Sequence, residues 1–149
     1  MSCKIIKLKE IANIERVKKD KLYPKNTIYI RVSACNNHSE EDKFHITKEE
    51  GILETKYAVI LPKVEIYPLY LLTSLEDNVD RFFSRYVGTN INIQVDTLNN
   101  FELQYDDDLE KQKLFSDMLS LIIEMEQQEQ QIIDDLKDSK QYYLTNMFI

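Results

Sequence analysis

DDLEKQKLFSDMLSLIIEMEQQEQQIIDDLKDSKQYYLTNMFI, residues 107–149, holds no Gly and no Pro, and its apolar residues recur every seven positions. With Phe115 at a, Ile122, Leu136 and Tyr143 share that position, while Met118, Met125 and Ile132 fall at d. A stripe of that period is the seam of a coiled coil. A helix over the whole stretch measures about 60 Å at 1.5 Å per residue, more than a small domain needs to cover its core, so the seam is expected to take a partner helix. Glu129 at a and Ser139 at d interrupt it, and Leu114, Leu121 and Ile133 widen it at the flanking g and e positions. That pattern suits packing against more than one surface. The competing reading, one amphipathic helix folded back on its own domain, accounts poorly for the length.

Ahead of the helix stand enough residues for one modest core, so the chain reads as a globular domain over 1–106 followed by a dimerisation and docking helix over 107–149. Ile5 to Ile14 alternates in a way that fits a short first element, with Leu8, Ile11 and Ala12 at helical spacing and Ile14 leading outward. Thr27-Ile28-Tyr29-Ile30-Arg31-Val32 is β-branched and aromatic, a strand between Pro24 and the polar loop Asn36-Asn37-His38-Ser39. Tyr57 to Leu61 is apolar throughout, as in a strand covered on both faces, and Pro62 ends it. Pro68 can open a helix, Leu69, Leu72, Val79, Phe82, Phe83 and Tyr86 supply its apolar face in two pieces around Glu76-Asp77-Asn78, and Gly88 stops it. Ile91-x-Ile93-x-Val95 and Phe101 to Tyr105 alternate as short strands around a turn at residues 96–100, and Asp106-Asp107-Asp108 opens the long helix with acidic side chains where the macrodipole favours them. The fold class expected is α+β: a small mixed domain with short strands and a helical hairpin, then one long coiled-coil helix.

Gly51 and Gly88 are the only glycines. A Walker loop or a dinucleotide fingerprint needs several close together, so neither phosphate cradle can be built. There is no Gly-x-Ser-x-Gly elbow, and His38 and His45 lie in one polar segment around Glu40, Glu41 and Asp42, at no standard metal-ligand spacing. Cys3 and Cys35 are too few for a disulfide framework and read as reduced thiols. Glu54-Thr55-Lys56 resembles half of a nuclease site, yet Asp42, the carboxylate that would have to share its Mg²⁺, sits in a charged loop. The chain is expected to be no enzyme and to bind neither metal nor cofactor. Without a membrane-length apolar run or a signal-peptide core it is expected in the cytoplasm.

The net charge of −7 is unevenly placed. Residues 1–31 carry nine Lys or Arg against three acidic residues, a local +6; residues 32–105 carry −6 and residues 106–149 carry −7. An electropositive face must therefore come mainly from the start, where Arg16, Lys18, Lys19 and Lys21 precede the turn Tyr23-Pro24-Lys25-Asn26. Lys18, Lys19, Lys21 and Lys25 are candidates for contacting DNA phosphates; a solubilising surface loop is the plain alternative. Asn36, Asn37, Asn90, Asn92 and Gln94 are available to read bases, Asn90 and Asn92 first among them.

In their order these pieces resemble one half of a type I restriction-modification specificity subunit, a DNA-reading protein with two target recognition domains separated by long helices. Lys7-Leu8-Lys9-Glu10-Ile11-Ala12-Asn13-Ile14-Glu15-Arg16 is similar to the usual start of that family. Tyr57 to Lys63 resembles the strand before its helical hairpin, and Tyr67-Pro68-Leu69-Tyr70-Leu71-Leu72 the start of the hairpin. Gly88 to Ile93 with Val95 to Phe101 is similar to the exit from the recognition domain, and Glu110-Lys111-Gln112 stands where the family has Glu-x-Gln. The stretch between Asn36 and Tyr57 is shorter than in many recognition domains, without a Ser/Arg-rich, glycine-containing hairpin.

The resemblance implies a non-catalytic subunit that pairs through Phe115, Met118, Ile122, Met125, Ile132, Leu136 and Tyr143 with a second copy or another specificity half. It implies docking on a DNA adenine methyltransferase subunit, which would carry S-adenosylmethionine, and antiparallel pairing that spaces two recognition domains on a bipartite target. Two other readings stand beside it: a scaffold or decoy that binds the partner subunits without sequence-specific DNA contact, which the acidic balance and short middle favour, and a coiled-coil adaptor unrelated to restriction-modification.

Overall fold

The computed structural model describes residues 3–35, 40–88 and 90–147. It falls into two compact units, Met1–Lys113 and Leu114–Ile149. The class is α+β, with short strands and a helical hairpin in the first unit and a long helix extending through the second.

The centre of the first unit is a four-stranded antiparallel sheet in the order β2 (Ala12–Arg16), β7 (Tyr57–Pro62), β4 (Ile28–Arg31), β5 (His45–Ile46). β4 alternates, sending Ile28 and Ile30 into the core while Tyr29 and Arg31 face the other way. β7 is buried at Ala58, Val59 and Ile60 in succession because both its faces are covered. Ala58 and Ile60 join the main core, and Val59 joins a second cluster with Val17 and Tyr23. That second cluster lies with the two-stranded pair β3 (Leu22–Tyr23) and β6 (Gly51–Ile52).

A second two-stranded pair completes the unit. β1 (Lys4–Lys7) runs antiparallel to β8 (Glu102–Tyr105) in the register Lys4 to Tyr105 and Lys7 to Glu102. The helical spacing of Leu8, Ile11 and Ala12 therefore misled. Only Leu8–Glu10 forms a single 3₁₀ turn between β1 and β2, fixed by the bond from Leu8 N–H to the Phe101 carbonyl at 2.8 Å. Pairing with distant strands overrides the local pattern here.

The hairpin consists of α1 (Pro68–Glu76) and α2 (Val79–Phe82), the latter continuing into one π turn, Phe83–Val87. Gly88 ends it at φ 60°, ψ −125°, a conformation that penalises a Cβ, with its N–H on the Phe83 carbonyl at 2.8 Å. Ile91 to Val95 is not a strand. Its alternation reflects two backbone bonds to the segment after β4, Cys35 N–H to Ile91 O and Ile93 N–H to Val32 O, each 2.8 Å, too few for a ladder. The expected turn at 96–100 is instead the short helix α3, Val95–Leu98, whose Leu98 is fully buried.

The long helix α4 spans Leu109–Met147, 39 residues without a break. Asp108 Oδ1 caps it, accepting the N–H of Glu110 at 3.1 Å and of Lys111 at 3.3 Å. One turn later Gln112 is fully buried; its Oε1 accepts the Tyr67 N–H at 3.1 Å and its Nε2 donates to the Asp106 carbonyl at 2.7 Å. The side chain thus satisfies the open N-terminus of α1 and the chain just before α4 together. Gln112→Ala leaves a buried donor and a buried acceptor unpaired, each costing about 1–3 kcal/mol. The expected outcome is a lower urea midpoint at an unchanged m-value, equivalent to a stability loss of about 2 kcal/mol or more; a loss below about 0.5 kcal/mol counts against this role. No helix among the described residues is long and apolar enough to cross a membrane.

Candidate nucleic-acid interface

Lys18, Lys19 and Lys21 share the loop from β2 to β3, whose backbone is pinned while the side chains stay outside. Val17 is buried, its N–H on the Tyr57 carbonyl at 3.0 Å, and the Lys18 N–H donates to the Tyr23 hydroxyl at 3.0 Å. Asp20 turns the loop at φ 60°. Lys21 pairs with Glu15 at 3.8 Å and lies 5.2 Å from the Tyr23 ring centre. Lys18 and Lys19 are exposed, with no carboxylate partner among the described residues. Lys25 occupies the next turn, where the Pro24 carbonyl accepts the Thr27 and Thr47 hydroxyls at 2.7 and 2.9 Å. The lysines are thus near one another in the chain, but only Lys18 and Lys19 offer free charge from a single loop.

Asn90 and Asn92 lie elsewhere. They line a groove of about 330 Å³ with Tyr86, Gln94 and Thr97. Asn92 and Gln94 also border a second groove of about 470 Å³ with Arg16, Ser33 and Asp96. Arg16 is held in place: its Nε donates to the Thr55 carbonyl at 3.3 Å, and its terminal nitrogen donates to the Ser33 hydroxyl. Ala34, at φ 53°, directs its N–H onto Asn92 Oδ1 at 3.1 Å. A left-handed alanine costs about 1–3 kcal/mol of local strain, and here its N–H holds the asparagine oxygen, while the Asn92 amide NH2 has no hydrogen-bond partner among the described residues.

The groove has the donor and acceptor types that read base edges: guanidinium for guanine, amides for adenine and a carboxylate for the cytosine amino group. Gln94, one of the amides available to read bases, belongs to it, and so does Arg16, which the sequence placed with the basic loop and not with the amides. The lysine loop connects to it through Thr55, which borders Lys19 on one side and accepts from Arg16 on the other. Asn36, Asn37 and His38 lie outside the described residues.

On α4 the heptad residues form an open stripe. Met118, Met125, Ile132, Leu136 and Tyr143 are each more than half exposed, Ile122 is 49 % exposed and Phe115 is 40 % exposed. The groups considered for chemistry have other employment. Asp42 is buried 3.8 Å from Arg31, and Glu54 pairs with Lys56 at 3.0 Å, a hydrogen bond that raises the lysine pKa and keeps it charged. Burial, reinforced by the charge of Asp42, pushes the Cys35 thiol up, away from the nucleophilic thiolate form. Among the described residues no three His, Cys, Asp or Glu side chains gather as metal ligands would.

No protein-family model and no curated protein matches the sequence. Solved structures do match the fold. The type I restriction-modification system S subunit from M. genitalium superposes with a TM-score of 0.77 at 14% identity, over 99% of this chain and 46% of that one. The HsdS subunit from Thermoanaerobacter tengcongensis gives 0.55 at 13% identity, over 91% of this chain and 39% of that one. The fold is that of half a specificity subunit. The chain spans less than half the length of either structure. Within this specificity-subunit fold the amide groove and lysine loop belong to the globular unit, and the exposed heptads to the long helix.

Proposed function

We propose that this chain is a non-catalytic DNA-specificity half-subunit of a type I restriction-modification system. Through the α4 stripe it pairs with a second copy or another specificity half, and it positions a DNA adenine methyltransferase, the subunit that carries S-adenosylmethionine, on a bipartite target. The supporting observation is the combination of a specificity-subunit fold with an apolar heptad stripe left open to solvent. Lys18 and Lys19 then contact phosphates, and Asn90 and Asn92 face the bases.

The test is duplex binding by the assembly purified from the host. Replacing Lys18 and Lys19 by Ala is expected to weaken target and non-target DNA by similar factors. The salt dependence should fall by about one unit of slope for each lost contact. Asn90→Ala is expected to relax discrimination while leaving the slope nearly intact. An assembly that binds no DNA overturns this reading and favours a scaffold that holds the partner subunits, the role to which the net charge of −7 is better suited.

A further inference from the structure

Of the four arginines in the chain, Arg31 faces Asp42 at 3.8 Å and Arg16 is bound to Thr55 and Ser33. Arg81 and Arg85 have no carboxylate partner among the described residues. They stand four residues apart, Arg81 in α2 and Arg85 in the π turn, and line one cleft with Asn78, Phe82, Tyr86 and Glu102. Both are exposed, and the Arg85 guanidinium lies 5.3 Å from the Tyr86 ring centre.

Like charges at this spacing on a helical face repel, so the pair is self-destabilising as it stands. In a chain with 26 acidic residues neither guanidinium pairs with a carboxylate among the described residues. An anion from outside relieves the repulsion, and guanidinium forks match the oxygens of a phosphate. Glu102 on the same cleft lowers its formal charge to +1, which suits a singly charged phosphodiester better than a doubly charged phosphate ester. Tyr86 is a wall of this cleft and also of the Asn90, Asn92 and Gln94 groove. The π turn, a local irregularity often found at functional sites, joins the two.

We infer that Arg81 and Arg85 grip a backbone phosphate of the duplex whose bases face the amide groove. This rests on the DNA-recognition reading above and adds a second phosphate contact, across the groove lining from the lysine loop. Basic side chains then border the base-reading amides at two places, by way of Tyr86 and by way of Arg16 and Thr55, an arrangement that sets register before bases are read.

The experiment titrates the assembly containing the full-length chain on a fluorescent mixed-sequence duplex of about 30 base pairs, between about 50 and 200 mM salt. Arg81→Ala/Arg85→Ala is expected to lower the slope of log affinity against log salt by about 0.9, the share of the one phosphate the pair holds, equally on all sequences. Arg81→Lys/Arg85→Lys is expected to keep most of the slope but bind more weakly, because the bidentate geometry is lost; it also carries the test should the alanine variant fail to fold. Wild-type binding with both variants unchanged in affinity and slope overturns the phosphate grip and leaves the recognition reading standing. An assembly that binds no DNA overturns both. Unchanged DNA binding accompanied by loss of a co-purifying subunit overturns it in favour of an acidic protein surface.

Discussion

Ile122→Glu is expected to turn an associated protein into a monomer in multi-angle light scattering at tens of micromolar. Ile122 sits mid-stripe, between Met118 and Met125, and is 49 % exposed in the single chain. Pairing would bury it, a contribution of about 1.5–3 kcal/mol for a side chain of that size. A glutamate there removes that burial and must either lose water or hold the seam open, at a further cost of several kcal/mol. A micromolar dimer is held by about 8 kcal/mol, so the combined loss moves the dissociation constant by three orders of magnitude or more. Gln127→Glu, at an f position on the opposite face, adds the same charge and is expected to leave the mass unchanged. A wild type that stays monomeric at these concentrations sinks self-pairing.

Deleting the gene is expected to erase adenine methylation at one bipartite motif in the host and leave other motifs untouched. If two copies pair antiparallel, their identical recognition units lie at opposite ends of a two-fold assembly, so the lost motif is an interrupted palindrome. Under the proposed function the effect is all or none, because a methyltransferase positioned by this chain would have no other means of choosing that site. Complementation with the wild-type gene is expected to restore the motif, and complementation with Ile122→Glu is not. Methylome sequencing of the three strains reads this directly. An unchanged pattern favours the scaffold, and an asymmetric motif points to pairing with a different specificity half.

The elements legible in the chain are those whose signals are local. Pro68 and Gly88 mark the first and last positions of the helical hairpin because one fixes φ and the other permits a left-handed stop. The unbroken apolar run of β7 reads as a doubly covered strand, and it is one. The residues of the candidate interface are harder to see. Asn90 and Asn92 attract attention as amides on an exit loop, but Arg16 reaches Asn92 only through Ser33 and Ala34, segments far apart in the chain. Arg81 and Arg85 look like ordinary solvated charges in the sequence; the fold puts them on one cleft with Glu102, and among the described residues no carboxylate pairs with them.

From sequence alone follow the long unbroken helix with its heptads, read there as 107–149 against the observed Leu109–Met147, the alternation of β4 and the absence of the glycine-rich phosphate loops. Each depends on residues within a few positions of one another, where backbone preference and side-chain period act directly. Only the tertiary structure decided that Lys4 to Lys7 is a strand paired with Glu102 to Tyr105, that Leu22 and Tyr23 pair with Gly51 and Ile52, and that Ile91 to Val95 is not a strand. A strand's partner is chosen by burial and hydrogen bonding between distant segments, and no local pattern encodes which segment will arrive.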